Sequence, residues 1–221
     1  MTIERVAVIG GTGEEGFGLA SRWAKAGLRV TIGSRAQERA SQAAERVKER
    51  MPEATIDGLD NAEAASVCDV VVVTVPFAGQ AAIYKSIAEA VTPETVVVDC
   101  TAPLAASVGG RASRVLGVWE GSAAQQAAGL LPKGTTLCAG FHSLAASMLS
   151  DLDKEMEGDV LVCGSKAGKP AVKELVEAIS SLRFVDAGPI ENARIIEPIT
   201  ALLIGINRRY ETHAGISITG L

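Results

Sequence analysis

A short apolar run that ends abruptly in glycines is the feature that most constrains this chain. Residues 6–9 (VAVI) precede the glycine-rich sequence GGTGEEG at 10–16, and a helical pattern of apolar residues begins at Leu19. This order predicts a strand, a tight turn and a helix. The turn matches the G-x-G-x-x-G pattern of dinucleotide sites; a glycine-rich turn without a ligand is the alternative.

Each glycine of the pattern has a predicted task. Gly11 permits the tight turn, Gly13 lets the backbone approach a pyrophosphate, and Gly16 lets the helix pack closely on the strand. The beginning of the helix offers free N–H groups and the positive end of its dipole to phosphates. We therefore expect a nucleotide to bind at this turn.

The rest of the chain alternates between strand and helix patterns. Hydrophobic residues make up 48% of the 221 residues and aromatic residues only 4%, so the core must consist of Val, Ile, Leu and Ala. That composition favours a buried parallel sheet with helices on both faces. We predict an α/β fold, a Rossmann-type doubly wound, mainly parallel sheet with a small C-terminal helical part.

Hydrophobic periodicity sets the expected elements. Strands are predicted at 28–32, 54–58, 70–75, 95–99, 135–139, 159–163 and 183–186. Helices are predicted at 36–50, 61–65, 81–90, 122–130, 169–180 and from about 191 onward. Residues 99–117 have no clear period and are predicted to form a mobile loop.

The end of the second predicted strand indicates which nucleotide is preferred. An NAD site usually has an acidic residue there, whereas an NADP site needs space and positive charge for a 2′-phosphate. Gly33, Ser34 and Arg35 supply space, a hydroxyl and a guanidinium, and Arg39 lies one turn along the next helix. We predict a preference for NADP; two ordinary solvated arginines are the alternative.

Two later strand ends are expected to face the nucleotide-binding cleft beside the glycine-rich turn. Thr74, Val75 and Pro76 follow a buried central strand, and sheets of this kind bind ligands at the carboxyl ends of their strands. Ala102 belongs to the loop 100–104 after the next strand. That loop is either a wall of the nicotinamide site or a plain connection.

Charge and composition argue against several classes of partner. The net charge is −5 without a long basic run, which argues against nucleic acid. The apolar runs are too short to span a bilayer, and a strand so close to Met1 leaves no room for a signal peptide. Four widely spaced cysteines and two distant histidines predict reduced thiols and no metal site. We expect a cytoplasmic protein.

The last predicted helix carries one continuous apolar stripe. It consists of Ile195, Ile199, Leu202, Leu203 and Ile206. Because this helix follows the last strand, we predict that it forms the interface of a homodimer. The alternative is that the stripe covers the chain's own sheet.

The second half must provide what exchanges a hydride with the nicotinamide. His142 follows a strand end, and Arg194 and Thr200 lie near the beginning of the last helix. No proton relay suited to a carbonyl substrate is evident. Hydride transfer between two redox cofactors needs mainly positioning, because the cofactors carry the chemistry.

Motifs along nearly the whole chain carry a family resemblance. They are IGGTG at 9–13 with Gly16 and GLA at 18–20, GSR at 33–35, TVP at 74–76, FHS at 141–143, VCG at 162–164, DAGP at 186–189, and NAR at 192–194 continuing through Glu197 to Thr200. Through them the chain resembles the NADPH-dependent coenzyme F-420 (F420) reductases. It departs from that family at 77–80 (FAGQ), at Pro198, where a serine is expected, and at Arg39, where a lysine is expected.

The resemblance implies an NADP-dependent oxidoreductase that transfers a hydride between NADP(H) and the deazaflavin coenzyme F420, and that works as a homodimer. The implied cofactor-binding residues are Gly11, Thr12, Gly13, Glu15, Gly16, Ser34, Arg35, Arg39, Thr74, Val75, Pro76 and Ala102. The implied catalytic residues His142, Arg194 and Thr200 border a deazaflavin pocket walled by small residues, namely Ala102, Pro103, Ala145 and Ala146.

The same resemblance implies how the chain is divided. Residues 1–221 form a single unit, with an NADP-binding Rossmann core at about 1–140. Residues from about 141 to 221 complete the second-substrate pocket and the dimer interface. Two other functions stay open: an NADPH-dependent reductase of a flavin, pterin, imine or ketone on the same scaffold, and a non-catalytic NADP-binding sensor.

Overall fold

A computed structural model describes residues 3–221. The strands are Val6–Ile9 (β1), Val30–Ser34 (β2), Ile56–Asp60 (β3), Val70–Val73 (β4), Val96–Asp99 (β5), Thr136–Ala139 (β6), Gly158–Gly164 (β7) and Leu182–Asp186 (β8). The α-helices are Glu14–Lys25 (α1), Gln37–Arg50 (α2), Asn61–Ser66 (α3), Phe77–Ile87 (α4), Ala123–Leu130 (α5), Ala146–Ser150 (α6), Lys169–Glu177 (α7) and Ala193–Tyr210 (α8). Two 3₁₀ helices cover Ala105–Val108 and Ile190–Asn192.

All eight strands join one sheet in the order β3-β2-β1-β4-β5-β6-β7-β8. Neighbouring strands are parallel except β6 and β7, which are antiparallel. The chain runs outward from β1 to β3 and then crosses to β4 on the other side of β1, so the strand order reverses there. The predicted fold class is confirmed, and the reversal leaves a crevice at the carboxyl ends of β1 and β4.

The central strands are buried on both faces, as expected of a parallel sheet. Val70 and Val72 of β4 belong to the core cluster on the face of α1, α2 and α7, whereas Val71 and Val73 belong to the cluster packed with α4. Small aliphatic side chains fill most of both clusters. Trp23 is the largest buried side chain, and its indole N–H donates to the Leu175 carbonyl at 2.8 Å.

Two local predictions were wrong in detail, and one helix was not predicted. Helix α4 begins at Phe77 rather than at 81, because Pro76 adopts the extended conformation of an N-cap, where its missing N–H costs nothing. The short helix α6 had no periodic signal. Residues 99–117 contain a 3₁₀ turn and a bridge between Leu104 and Val115 rather than a featureless loop.

The C-terminal part shares the sheet with the first half. Strands β7 and β8 extend it beyond β6, and the segment after α8 returns to β7, where Asp159 N donates to the Ile216 carbonyl at 2.7 Å. The Glu197 carboxyl of α8 accepts from the N–H groups of Ala123 and Ala124, at 2.9 and 3.0 Å. It thereby caps α5 and ties the two helices together. None of the helices within 3–221 is both long enough and apolar enough to cross a membrane.

Candidate functional site

The glycine-rich turn after β1 is built by close backbone contacts. Gly10 adopts a φ of +80°, and a Cβ there would stand 2.7 Å from Val75 Cγ1. The left-handed residue of the turn is therefore Gly10, which the pattern did not single out. Gly11 belongs to the same tight turn, as predicted: its N–H donates to the Val8 carbonyl at 3.1 Å, and a Cβ there would stand 2.7 Å from that oxygen.

Gly16 lets α1 approach the end of β4. A Cβ at Gly16 would lie 2.3 Å from Thr74 Oγ1 and 2.9 Å from the Gly10 carbonyl oxygen. Real side chains essentially never come that close, so only glycine fits without a shift of the backbone. The predicted role of this glycine in packing agrees with the geometry.

The first turn of α1 presents free backbone donors. Gly13 is the N-cap in an extended conformation and has no side chain to cap the helix. Its carbonyl accepts the Phe17 N–H at 2.8 Å, so the N–H groups of the intervening residues have no partner within the helix. Together with the helix dipole they form an anion-binding site.

A cavity of about 400 Å³, here called the arginine cavity, opens beside this turn. Eight of the predicted cofactor-binding residues line it: Thr12, Gly13, Ser34, Arg35, Arg39, Thr74, Val75 and Pro76. They come from the ends of β1, β2 and β4 and from the first turns of α1 and α2. The structure thus brings together residues that are up to 64 positions apart in the chain, from Thr12 to Pro76.

The arginine cavity is suited to an anion. Arg35 and Arg39 are exposed, and neither forms an ion pair with a residue of the described chain. The nearest strand-end carboxylate, Asp60 of β3, is occupied because it accepts the N–H groups of Ala62 and Glu63, both at 2.9 Å. Two guanidinium groups consequently face a cavity without a competing acid.

Asn61 also lines the arginine cavity, and sequence reasoning treated it only as the beginning of a helix. Its side chain is buried, and Oδ1 has no hydrogen-bond partner among residues 3–221. Since Asp60 caps α3, the side-chain amide of Asn61 is available to form hydrogen bonds with a ligand in the cavity. A polar residue directly after the capping Asp60 is the signal that could have found it.

A second cavity of about 430 Å³, here called the histidine cavity, adjoins the first. Both are lined by Gly13, Thr74, Val75 and Pro76, so they form one cleft along the carboxyl edge of the sheet. The other lining residues include Glu15, Cys100, Thr101, Ala102, His142, Ala146 and Thr200. The predicted wall residues Ala102 and Ala146 are among them; Pro103 and Ala145 are not.

His142 and Thr200 meet at the histidine cavity. The Thr200 hydroxyl donates to the His142 backbone carbonyl at 2.8 Å, which joins α8 to the loop after β6. The His142 side chain is 7% exposed, and its Nε2 has no partner within the described part of the chain. Burial lowers the pKa of His142 to about 4, so the imidazole is neutral at pH 7.

Arg194 is not brought to this cleft. It lines neither cavity, and it is exposed at the beginning of α8. Its Nε donates to the Glu191 carbonyl at 2.9 Å, and a terminal nitrogen donates to Gln125 Oε1 at 3.2 Å. These contacts hold the guanidinium against α5.

Gly11 and Gly16 do not line either cavity; they act through packing.

A buried polar cluster lies beneath the cleft. Both carboxyl oxygens of Asp99 accept hydrogen bonds, one from Thr101 N at 2.6 Å and one from the Gln80 amide. The same amide group also donates to the Ala123 carbonyl at 3.0 Å. Burial raises the pKa of Asp99 to about 6. Burial and the neighbouring Asp99 raise the pKa of Glu15 to about 8.

Sequence reasoning missed this cluster, in which Gln80 is hydrogen-bonded to Asp99 and the charge of Asp99 acts on Glu15. An acidic residue at the end of a buried strand, as at Asp99, was the available signal. Within 3–221, no three His, Cys, Asp or Glu side chains are grouped so that they could hold a metal ion.

Comparison with known proteins adds a second line of information. Residues 5–103 match the family model described as NADP oxidoreductase coenzyme F420-dependent. The chain is 42% identical to the F420-dependent NADP reductase of Methanothermobacter thermautotrophicus, over 99% of this chain and 96% of that protein. It is 39% identical to the F420-dependent NADP reductase of Methanocaldococcus jannaschii, over 98% of this chain and 99% of that protein.

The fold also has a counterpart among solved structures. The crystal structure of an Arthrobacter protein assigned as an F420-dependent NADP reductase superimposes with a TM-score of 0.81 at 23% identity. The match covers 99% of this chain and 100% of the other. At that identity the likeness concerns the fold alone.

Proposed function

The chain belongs to the family of coenzyme F420-dependent NADP oxidoreductases, and we propose that it transfers a hydride between NADP(H) and coenzyme F420. One observation carries the proposal: two adjoining cavities share four lining residues at the point where the strand order reverses. Such a cleft accommodates two ring systems side by side. When both are bound, the nicotinamide and the deazaflavin supply the redox chemistry, and the protein supplies their alignment.

We propose that NADP(H) occupies the arginine cavity and extends into the histidine cavity. The first turn of α1 would hold the pyrophosphate through its free N–H groups. Ser34, Arg35 and Arg39 would hold the 2′-phosphate, because charge-assisted contacts from guanidinium to phosphate are strong and directional. Val75 and Pro76, common to both cavities, would line the path between phosphate and nicotinamide.

The second substrate is proposed to enter the histidine cavity. The small side chains of Ala102 and Ala146 leave room for a flat ring, and the neutral His142 adds no charge. Thr200 acts through His142 by holding its backbone. Arg194, exposed outside this cavity, is proposed to contact an anionic part of the coenzyme that extends beyond it.

We further propose a cytoplasmic homodimer. Helix α8 exposes 63% of Ile195 and 61% of Leu202, two members of its apolar stripe, and a second copy of the chain would cover them. All four cysteines are free thiols, which fits a reducing compartment.

The deciding experiment mixes purified protein with NADPH and oxidised F420 under anaerobic conditions and follows both absorbance bands. Equimolar loss of the two bands is expected, together with the reverse reaction from reduced F420 and NADP. Parallel reactions contain a flavin, a pterin, an imine or a ketone. Turnover of one of these instead of F420 would support a different reductase, and NADPH that binds but is never oxidised would support a sensor.

A further inference from the structure

We infer that Glu15 is the acid–base residue of the histidine cavity. Its carboxyl group gives and takes the proton that accompanies hydride transfer. This inference rests on the proposed function. A hydride carries two electrons and one proton, so its transfer turns neutral dihydronicotinamide into a cation and leaves the acceptor ring with one extra negative charge. A neutral reduced deazaflavin therefore needs one more proton, on a ring nitrogen.

The position of Glu15 suits this role. It is the second residue of α1, directly after the phosphate-binding turn, and it is only partly exposed. It lines the histidine cavity together with Cys100, Ala102 and His142. It makes no ion pair with any of the residues 3–221, so its carboxyl group is not engaged elsewhere.

The surroundings of Glu15 keep its proton bound at neutral pH. Asp99 lies beside it at the end of β5, fully buried, with both oxygens accepting hydrogen bonds that hold it in place. Burial, together with the Asp99 charge, raises the pKa of Glu15 to about 8. Burial raises both pKa values, to about 6 for Asp99 and about 8 for Glu15, and this difference lets Glu15 stay protonated while Asp99 is ionised.

The other titratable groups that face Glu15 are poorer proton donors. Cys100, next to Asp99 on β5, is buried, and its pKa is raised well above the ordinary thiol value. His142, from the loop after β6, has a pKa of about 4 and therefore carries no extra proton at pH 7. Glu14, on the same helix turn, is exposed to solvent. Compared with Cys100 and His142, Glu15 alone combines a bound proton with a pKa near neutrality.

In the direction of F420 reduction, the C–H bond at nicotinamide C4 breaks, and its electron pair forms a C–H bond on the deazaflavin ring. The electrons displaced within that ring form an N–H bond with the proton of Glu15, whose O–H bond breaks. NADPH becomes NADP⁺, the deazaflavin becomes its neutral reduced form, and Glu15 regains a proton from water.

The test compares the wild-type enzyme with Glu15→Gln, which keeps the shape of the side chain but cannot exchange a proton. Glu94→Gln, on an exposed loop before β5, is the matched control. We expect Glu15→Gln to reduce the rate of F420 reduction by about 100-fold or more, with NADPH affinity within about threefold of wild type. Wild-type and control rates should fall as pH rises above about 8, because the protonated carboxyl is lost. This decrease of the rate at high pH should be absent in Glu15→Gln.

Infrared difference spectra supply a readout without turnover. The protonated-carboxyl band of Glu15 should be present at pH 6.5, disappear by about pH 9.5, and be missing in Glu15→Gln, in keeping with the raised pKa. The inference is overturned if Glu15 is ionised at pH 6.5, or if Glu15→Gln has the wild-type rate and the same decrease of rate at high pH. In either case, F420 turnover by the wild type leaves the proposed function intact. A wild-type enzyme that never turns over F420 overturns the proposed function and this role with it.

Discussion

Thr74 Oγ1 lies where a side chain at residue 16 would have to stand, 2.3 Å from the position of a Cβ on Gly16. The hydroxyl is held there by its hydrogen bond to the Ile9 carbonyl, at 3.0 Å. Thr74 thus joins the ends of β1 and β4, and the first turn of α1 rests directly on that joint. The phosphate-binding donors of α1 are positioned by this contact.

The first prediction concerns Gly16→Ala. The added methyl group forces α1 away from Thr74, so we expect weaker NADPH binding and a loss of about 1–3 kcal/mol in the free energy of unfolding. Urea unfolding and a calorimetric NADPH titration measure both effects. Gly129→Ala is the control, since a Cβ in α5 at that position meets no atom within 4 Å. A similar loss in both variants would contradict the steric explanation.

The second prediction is that Arg35→Ala raises the KM for NADPH at least tenfold and leaves the KM for NADH nearly unchanged. A hydrogen bond to a charged group contributes about 1.5–3 kcal/mol, and only NADPH carries the 2′-phosphate. Steady-state kinetics with both nucleotides provide the measurement. Arg50→Ala, exposed at the other end of α2, serves as the control. Equal effects on the two nucleotides would refute the assigned role of Arg35.

The third prediction concerns the pH dependence of stability. His142 has a pKa of about 4 in the folded protein instead of 6.5. During acidification, the unfolded chain therefore binds a proton at this imidazole at a higher pH than the folded protein does. The contribution of His142 to stability is therefore lost as pH falls from 6.5 toward 4. The expected contribution of His142 between pH 7 and pH 4.5 is about 2 kcal/mol.

His142→Gln isolates that contribution, because the other titrating groups are common to both proteins. Burial raises the pKa values of Glu15, Asp99 and Glu197, which has the opposite consequence: their contribution is present at low pH and is lost as pH rises. Urea unfolding at pH 7 and 4.5 gives the change in the free energy of unfolding for each protein, and on acidification we expect that change to favour the folded state by about 2 kcal/mol more in His142→Gln than in the wild type. The same change in both proteins would mean that His142 does not titrate as described.

The fourth prediction tests the proposed dimer. Leu202→Glu places a charge on the exposed stripe of α8, and burying that charge in an interface is unfavourable. Sedimentation at micromolar concentration should give a dimer for the wild type and a monomer for the variant. Val67→Glu, on an exposed residue beyond α3, should stay dimeric. A monomeric wild type would refute the dimer.

The strand, turn and helix at residues 6–25 could be predicted because each signal is local. The apolar run, the glycines and the helical spacing act on residues that are neighbours in the chain. The same holds for Ser34, Arg35 and Arg39, which one strand end and one helix turn bring together. Even here, the pattern does not show which of two adjacent glycines takes a positive φ, and only the structure shows that it is Gly10.

The sequence by itself determined the alternation of strands and helices, the phosphate-binding turn and the basic strand end. Only the tertiary structure decided that Gln80 and Asp99 are bonded in the core and act on Glu15, that Thr200 holds His142, and that Arg194 stands apart from them. The physical reason is that periodicity and turn chemistry depend on adjacent residues. Proximity across a cleft, and the burial that shifts a pKa, depend instead on strand order and on how helices pack against the sheet.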